Sequence, residues 1–560
     1  MLPILALASF LVISLTVLPV VVLLFTSLRP AGRLWLDDGG WTLHNFISLA
    51  TQPNVGTLLS NTVVYVGGTI ALATVFATLW AWITERTDFR YKVTVRVLMI
   101  VTLSLPSLIQ GFGWILLLNP NNGLVNHLLR TWLNLETQTG PINVYSLGMM
   151  VVVSSFLLTP TVYVMLSGII RNLDYKLEFP ATLAGVAPVR IFMKISAPVL
   201  LPGLLSVLIY TVMIMIQVFE IPLSIGLTGG VQVLSTRIYL LSSAELGEPN
   251  YNLAAAFGVA LVIVAIALVV MYQRLTRESE KFTVISGKNF RLHAASLGVR
   301  RFLAYGYAVV FFALAFLPIL ILLWTSLLPF YALPSIGALA HVSLENYSKL
   351  FSSSMFPRSV NNTALVVVVG ATLTMAVSLL VAYATVRPVN GWCRWIDVLA
   401  FMPVAIPNIV LGLAVLLLYV QTPVYGTIVA IMLAQILGNM VFGTRILSAA
   451  LLQVHPDIER AALLGGVGRI GILARILVPI LRTQMFNGWL LVFAHAMRDV
   501  GIPLIFLTSQ TVMLSSSLWV IWGYPDVPGA AALSVLLVIV LALVVTPMQV
   551  YMARTDESRQ

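Results

Sequence analysis

One cysteine, Cys393, in 560 residues removes any disulfide framework and any zinc or iron–sulfur site built from thiolates. Charge is nearly as scarce. Asp, Glu, Lys and Arg make up 9% of the chain against 59% hydrophobic residues, and the mean hydropathy is +0.99. A soluble domain carries about 25% charged residues, so that class is excluded. Acidic residues number 20 against 31 Lys and Arg, a surplus that could suit nucleic acid. The basic residues lie in loops between apolar runs, however, which the positive-inside rule explains better. No nucleic-acid partner is predicted. Gly287-Lys288-Asn289 superficially resembles a phosphate loop, but Phe282 stands where the upstream Gly is needed and Asn289 replaces the Mg²⁺-holding Ser/Thr. The sequence thus predicts no catalytic residue, no nucleotide site, no metal site and no cofactor.

What the chain does have is apolar runs of roughly 20 residues, each long enough to cross about 30 Å of hydrocarbon. Twelve are predicted: residues 5–25, 58–83, 97–118, 147–170, 199–223 and 253–271, then 303–324, 364–386, 398–418, 428–447, 481–506 and 531–550. They are called spans 1 to 12 below. The first is too long for a signal peptide and has no basic leader, so it is read as a retained span. Lys and Arg concentrate after the even-numbered spans, with Arg274, Arg277, Lys281, Lys288, Arg291, Arg300 and Arg301 between spans 6 and 7. That side, with both termini, is expected to be cytoplasmic.

The second half repeats the first. Leu18-Pro19 and Leu317-Pro318 are offset by 299; Asn61-Thr62, Pro106 and Gly111 recur as Asn362-Thr363, Pro407 and Gly412 with offset 301. Further on, Ile221-Pro222 recurs as Ile502-Pro503 with offset 281, which places the extra residues of the first half in the loop after span 3. The expected fold is an all-α polytopic membrane protein of two parallel six-helix repeats, related by an axis along the membrane normal. The expected organisation is residues 1–275, a linker at 276–301, and residues 302–560.

The repeat is tightest in two loops. Leu177-Glu178-Phe179-Pro180-Ala181-Thr182-Leu183-Ala184-Gly185 runs on to Pro198, and Ile458-Glu459-Arg460-Ala461-Ala462-Leu463-Leu464-Gly465-Gly466 runs on to Pro479. Glu and Gly are seven residues apart in both copies, and Gly and Pro thirteen. Each copy reads as a short helix, a glycine turn and a second short helix. An amphipathic surface loop with an accidental Gly is the plainer alternative, which the duplication disfavours. The pattern resembles the EAA loop of the membrane subunits of binding-protein-dependent ABC importers of the type I fold. It departs from that pattern in having one residue between Glu and the small pair, and Pro180-Ala181 in the first copy. The resemblance implies that Glu178, Ala181, Gly185, Glu459, Ala461, Ala462 and Gly466 form the loops that couple to the ATPase.

Span 11 is the least apolar, with Gln484, Asn487, His495, Arg498 and Asp499 predicted on one helical face. Span 5 contributes Gln217, the repeat equivalent of Arg498, and Glu220. Ionisable groups in spans usually face a bundle interior or a wet cavity, which makes Gln217, Glu220, His495, Arg498 and Asp499 candidates for a translocation pathway or gate. Arg498 is expected to pair with Glu220 across the two halves; the alternative is snorkelling of Arg498 and Asp499 to the interface. Asn61 and Asn362 read as helix N-caps, and Pro19 and Pro318 as kinks. Trp114, Trp324 and Trp489 are either interfacial anchors or core.

Over nearly its whole length the chain resembles fused, two-half permeases of the iron(III) branch, notably at Pro141-Ile142-Asn143-Val144-Tyr145-Ser146 and Val218-Phe219-Glu220-Ile221-Pro222. The resemblance implies a bacterial inner-membrane protein without an ATPase site of its own, two copies of a cytoplasmic ATPase subunit, and a periplasmic binding protein. Ferric iron is the implied cargo, with thiamine, aminoethylphosphonate, polyamine or sugar phosphate as alternatives. An ion-coupled secondary transporter would also show repeats but would not need the paired loops.

Overall fold

The computed structural model describes residues 2–171, 179–186, 188–279, 296–388 and 390–557. Helices are the only regular elements among them, as a bilayer demands of a chain that must satisfy every backbone group within its own segment. Ten helices are long and apolar enough to cross a membrane, and two further pairs would do so if each bent pair is one span.

Those bent pairs are spans 3 and 9. Lys92–Ser104 meets Ser107–Leu118 at 97°, and Trp392–Val404 meets Asn408–Tyr419 at 111°. Pro106 and Pro407 stand at the breaks, and a residue preceding proline is driven out of the helical region: Leu105 and Ile406 are both extended, with ψ of 132° and 124°. Spans 5 and 11 also end earlier than their apolar runs. Their helices stop at Gln217 and Arg498, and a short second piece follows in each, Pro222–Gly226 and Gly501–Ile505.

The halves are interlocked through their first spans. Span 1 (Leu2–Val12, a π-turn over Ile13–Val17, then Leu18–Ser27) packs on spans 8 and 9 of the other half. There Leu5, Ala8 and Val12 are buried with Val381, Ala384, Ile396 and Ala400. Span 7 (Arg301–Ser326) lies on spans 2 and 3 in the same way. Trp80 of span 2, fully buried, lies against Tyr307 with ring centres 4.7 Å apart and the rings tilted by 30°, and meets Phe311 and Phe312. Each first span also packs on the sixth span of its own half, where Ala254-Ala255-Ala256 and Ala530-Ala531-Ala532 are fully buried. Small side chains at such seams let helices approach closely where lipid offers no hydrophobic drive. Pro318 lies inside the span 7 helix, and Pro19 opens the last segment of span 1.

Side chains complete the seam. Trp35 Nε1 donates to the Leu417 carbonyl at 3.1 Å, and Tyr331 Oη to that of Leu116 at 2.9 Å, each from one half to the other. Phe112 and Trp522 stack at 4.0 Å across the same boundary. Asp37, on the loop after span 1, accepts from the Leu34 N–H and from Gln421 Nε2 of the other half. Those two hydrogen bonds, the Leu34 one first, hold its carboxyl below the usual range.

Asn61 and Asn362 are not N-caps. Their helices begin earlier, at Val55 and Met355, and both amides reach carbonyls of the loop after the span 5 or span 11 break. Asn61 donates to Gln232, and Asn362 to Gln510 and Val512. Thr62 and Thr363 accept from Leu234 and Leu514 N–H beside them. Trp114 is buried core; Trp324 and Trp489 donate to the Ala332 carbonyl and to Thr372.

Candidate functional site: the paired loops and the central crossing

In the second Glu–Gly loop, Pro456–Leu464 forms the short helix. Proline costs nothing at its first position, and acidic Asp457 and Glu459 suit its N-terminus. Gly466 closes it at φ +79°, with Val467 N–H reaching back five residues to the Ala462 carbonyl. That is a Schellman-type end, in which glycine supplies the left-handed residue without a Cβ penalty. The first loop repeats it. Phe179–Leu183 is helical, Gly185 has φ +72°, and Val186 N–H reaches the Ala181 carbonyl. Ala461 is exposed, while Ala462 and its equivalent Ala181 are half-buried. The repeat-equivalent leucines beside the glycines, Leu183 and Leu464, stand 73% and 90% exposed. The two loops thus present an apolar side chain at the same repeat position.

Glu459 does not share that exposure. Its carboxylate is buried and takes Arg387 Nε at 2.8 Å and Tyr383 Oη at 3.0 Å. Arg387 in turn reaches the Val454 carbonyl at 2.7 Å. The acidic residue therefore anchors the short helix to the ends of spans 8 and 10, leaving the leucine side outward. Glu178 lies outside the described residues. Arg387 had a readable signal, since Arg86 stands at its repeat position with offset 301.

A second buried cluster was not foreseen. Glu85, whose side chain is 2% exposed, lies between Arg96 at 2.8 Å and Arg171 at 3.1 Å, tying together the ends of spans 2, 3 and 4. The other half has Val386, Asp397 and Leu452 at the corresponding positions. The halves thus brace the same end with different chemistry.

The second locus is where spans 5 and 11 end. Arg498 Nη1 donates to the Leu103 carbonyl at 2.6 Å, and Gln217 Nε2 to the Val404 carbonyl at 2.8 Å. Gln217 and Arg498 are repeat equivalents, as are Leu103 and Val404, so one contact is drawn twice in opposite directions across the seam. The acceptors are available because spans 3 and 9 break there: carbonyls in a last helical turn have no intrahelical N–H. The expected Arg498–Glu220 ion pair is absent among the described residues. The carbonyl offered by the break takes the guanidinium instead, and the Glu220 carboxylate is met by the local backbone, with the Phe219 N–H at 3.3 Å.

Asp499 is past the helix end, in extended conformation, rather than on the face carrying Gln484 and Asn487. It is buried and accepts from Asn408 at 3.0 Å, Gln435 at 2.7 Å and Ile502 N–H at 3.3 Å. This pins the span 11 break to spans 9 and 10 of its own half, which rules out snorkelling for Asp499. His495 lies against Phe442 with ring centres 4.6 Å apart and the rings tilted by 31°. Gln217, Glu220, His495 and Arg498 are all half-buried. Among the described residues no three His, Cys, Asp or Glu converge as a metal site would require.

A family model described as binding-protein-dependent transport system inner membrane component matches residues 73–280. The Fe(3+)-transport system permease protein FbpB 2 of Haemophilus influenzae is 23% identical over 484 residues, 85% of this chain and 86% of that protein. The ferric transport system permease protein FbpB of Actinobacillus pleuropneumoniae is 23% identical over 491 residues, 85% of this chain and 68% of its own length. Among solved structures, a bacterial alginate ABC transporter in complex with an alginate pentasaccharide-bound periplasmic protein aligns at 14% identity. Its TM-score is 0.36, covering 46% of this chain and 96% of that one.

Proposed function

We propose that this chain, an inner-membrane permease of the binding-protein-dependent ABC importer family, carries ferric iron delivered by a periplasmic binding protein. The observation that carries the cargo is the similarity to ferric permeases along 85% of the chain. Residues 1–275 and 302–560 act as two six-span halves joined by a linker at 276–301, with both termini cytoplasmic. Two copies of an ATPase subunit sit on the paired loops. The exposed leucines Leu183 and Leu464 enter the ATPase surface, while the left-handed glycines fix the angle of each short helix. Closure of the ATPases pushes on the two loops, held to the span ends by Glu459 and Arg387 in the second half, while the Glu85 cluster stiffens the span ends of the first.

Uptake of radioactive ferric iron by cells expressing the chain with its neighbouring transport genes tests this reading. Accumulation that needs both the chain and ATP, and that thiamine and aminoethylphosphonate do not compete, is expected. Uptake that survives ATP depletion and follows an ion gradient would make it a secondary transporter. Competition by one of the organic cargoes would reassign the cargo and leave the importer standing.

A further inference from the structure

The two crossing contacts are equivalent in position and unequal in chemistry. Gln217 is neutral, and both hydrogens of its amide are used, one on Val404 and one on its own Met213 carbonyl at 2.9 Å. Arg498 is charged and has donors to spare: Nη1 holds Leu103, while Nε is buried with no partner. Arg498 and the Glu220 carboxylate are near enough to interact electrostatically, and that carboxylate accepts only from the local backbone, with the Phe219 N–H at 3.3 Å. The repeat position of Glu220 in the other half is Gly501, so no acid confronts Gln217. A guanidinium in a span and a carboxylate in a span each demand a partner. Here the two lie at one seam, each under-satisfied, without forming a pair.

We propose that Arg498 is a two-position coupling residue: it latches span 11 to the Leu103 carbonyl in the arrangement described, and exchanges that carbonyl for the Glu220 carboxylate when the halves rearrange. The Gln217–Val404 contact is the fixed pivot of the same seam, because it has no second partner to move to. Asp499 keeps the exchange local. Its bonds to Asn408 and Gln435 hold the span 11 break to its own half, so the guanidinium moves relative to spans 3 and 5 and not relative to spans 9 and 10. A two-state element of this kind biases transport only if each state has its own contact, and here both partners are present and only one is in use.

The inference rests on the importer reading, and the test separates the two. In a Cys393→Ser background, spin labels are placed at the exposed positions 128 and 524 of opposite halves. The whole importer is purified with its ATPase, and the label distance is measured with and without ATP. Wild type should shift on ATP. Glu220→Gln should keep the resting distance but lose the shift, with turnover lower by roughly tenfold or more, the scale of one charge-assisted hydrogen bond. Arg498→Gln, which can hold Leu103 as Gln217 holds Val404, should behave likewise, and the double variant should be no worse than either. If Glu220→Gln shifts and turns over as wild type does, or if the two defects simply add, the exchange is overturned and the importer reading stands. If wild type itself shows no ATP-dependent shift, both are overturned.

Discussion

Replacing Glu459 by Gln should loosen the short helix without unfolding the protein. The carboxylate holds two charge-assisted or hydroxyl bonds, from Arg387 at 2.8 Å and Tyr383 at 3.0 Å, with side-chain exposures of 16% for Arg387 and 10% for Glu459. A hydrogen bond to a charged group contributes about 1.5–3 kcal/mol. Truncation that leaves a buried charge without its partner costs about 3–5 kcal/mol. Gln keeps an acceptor for one donor, and Arg387 keeps the Val454 carbonyl, so the lower range applies. At about 1.4 kcal/mol per tenfold, the population in which residues 456–464 are detached should rise by roughly 10- to 100-fold. Hydrogen exchange of that segment, read by mass spectrometry, would report it directly as faster exchange. Glu345→Gln is the control. Its pair with Lys349 is 54% and 65% exposed, and surface pairs contribute little, so exchange around it should barely change. If residues 456–464 of Glu459→Gln exchange as slowly as in wild type, the anchoring role is wrong.

Gly185→Val and Gly466→Val should weaken ATPase co-purification while the protein still inserts. No atom lies within 4 Å of an added Cβ at either site, so the defect is the left-handed backbone alone, roughly 1–2 kcal/mol; Gly466→Asn, which tolerates that region, should be milder. Gly113→Ala should lower thermal stability by about 1–3 kcal/mol through overpacking, because its Cβ would come within 2.7 Å of the Pro318 carbonyl carbon on span 7. Gly67→Ala, with open space around it, should be neutral in the same thermal assay.

The loops and the repeat were legible because backbone demands leave a residue type behind. A left-handed turn requires glycine, and Gly185 and Gly466 carry φ of +72° and +79° where the spacing placed them. The broken spans were half legible: Pro106 and Pro407 were in plain view, but hydropathy averages across a break and reads one run. Asn61 and Asn362 misled because an Asn near a predicted helix start looks like a cap, while the helix in fact starts six or seven residues earlier. The Arg498 contact was out of reach. Its acceptor is a backbone carbonyl, which every residue has, and only the bend at residue 105 makes that of Leu103 available. The exchange of spans 1 and 7 between halves was equally hidden, since an apolar helix surface does not name its neighbour.

ATP-dependent accumulation of ferric iron in proteoliposomes tests the central claim most directly. The chain is reconstituted with its ATPase, and iron-loaded binding protein is supplied on the far side. Iron should enter only when ATP is hydrolysed, and Gly466→Val should lower entry by roughly tenfold while leaving the reconstituted amount of chain unchanged. Iron entry without ATP, or full entry with both loop glycines replaced, would contradict it.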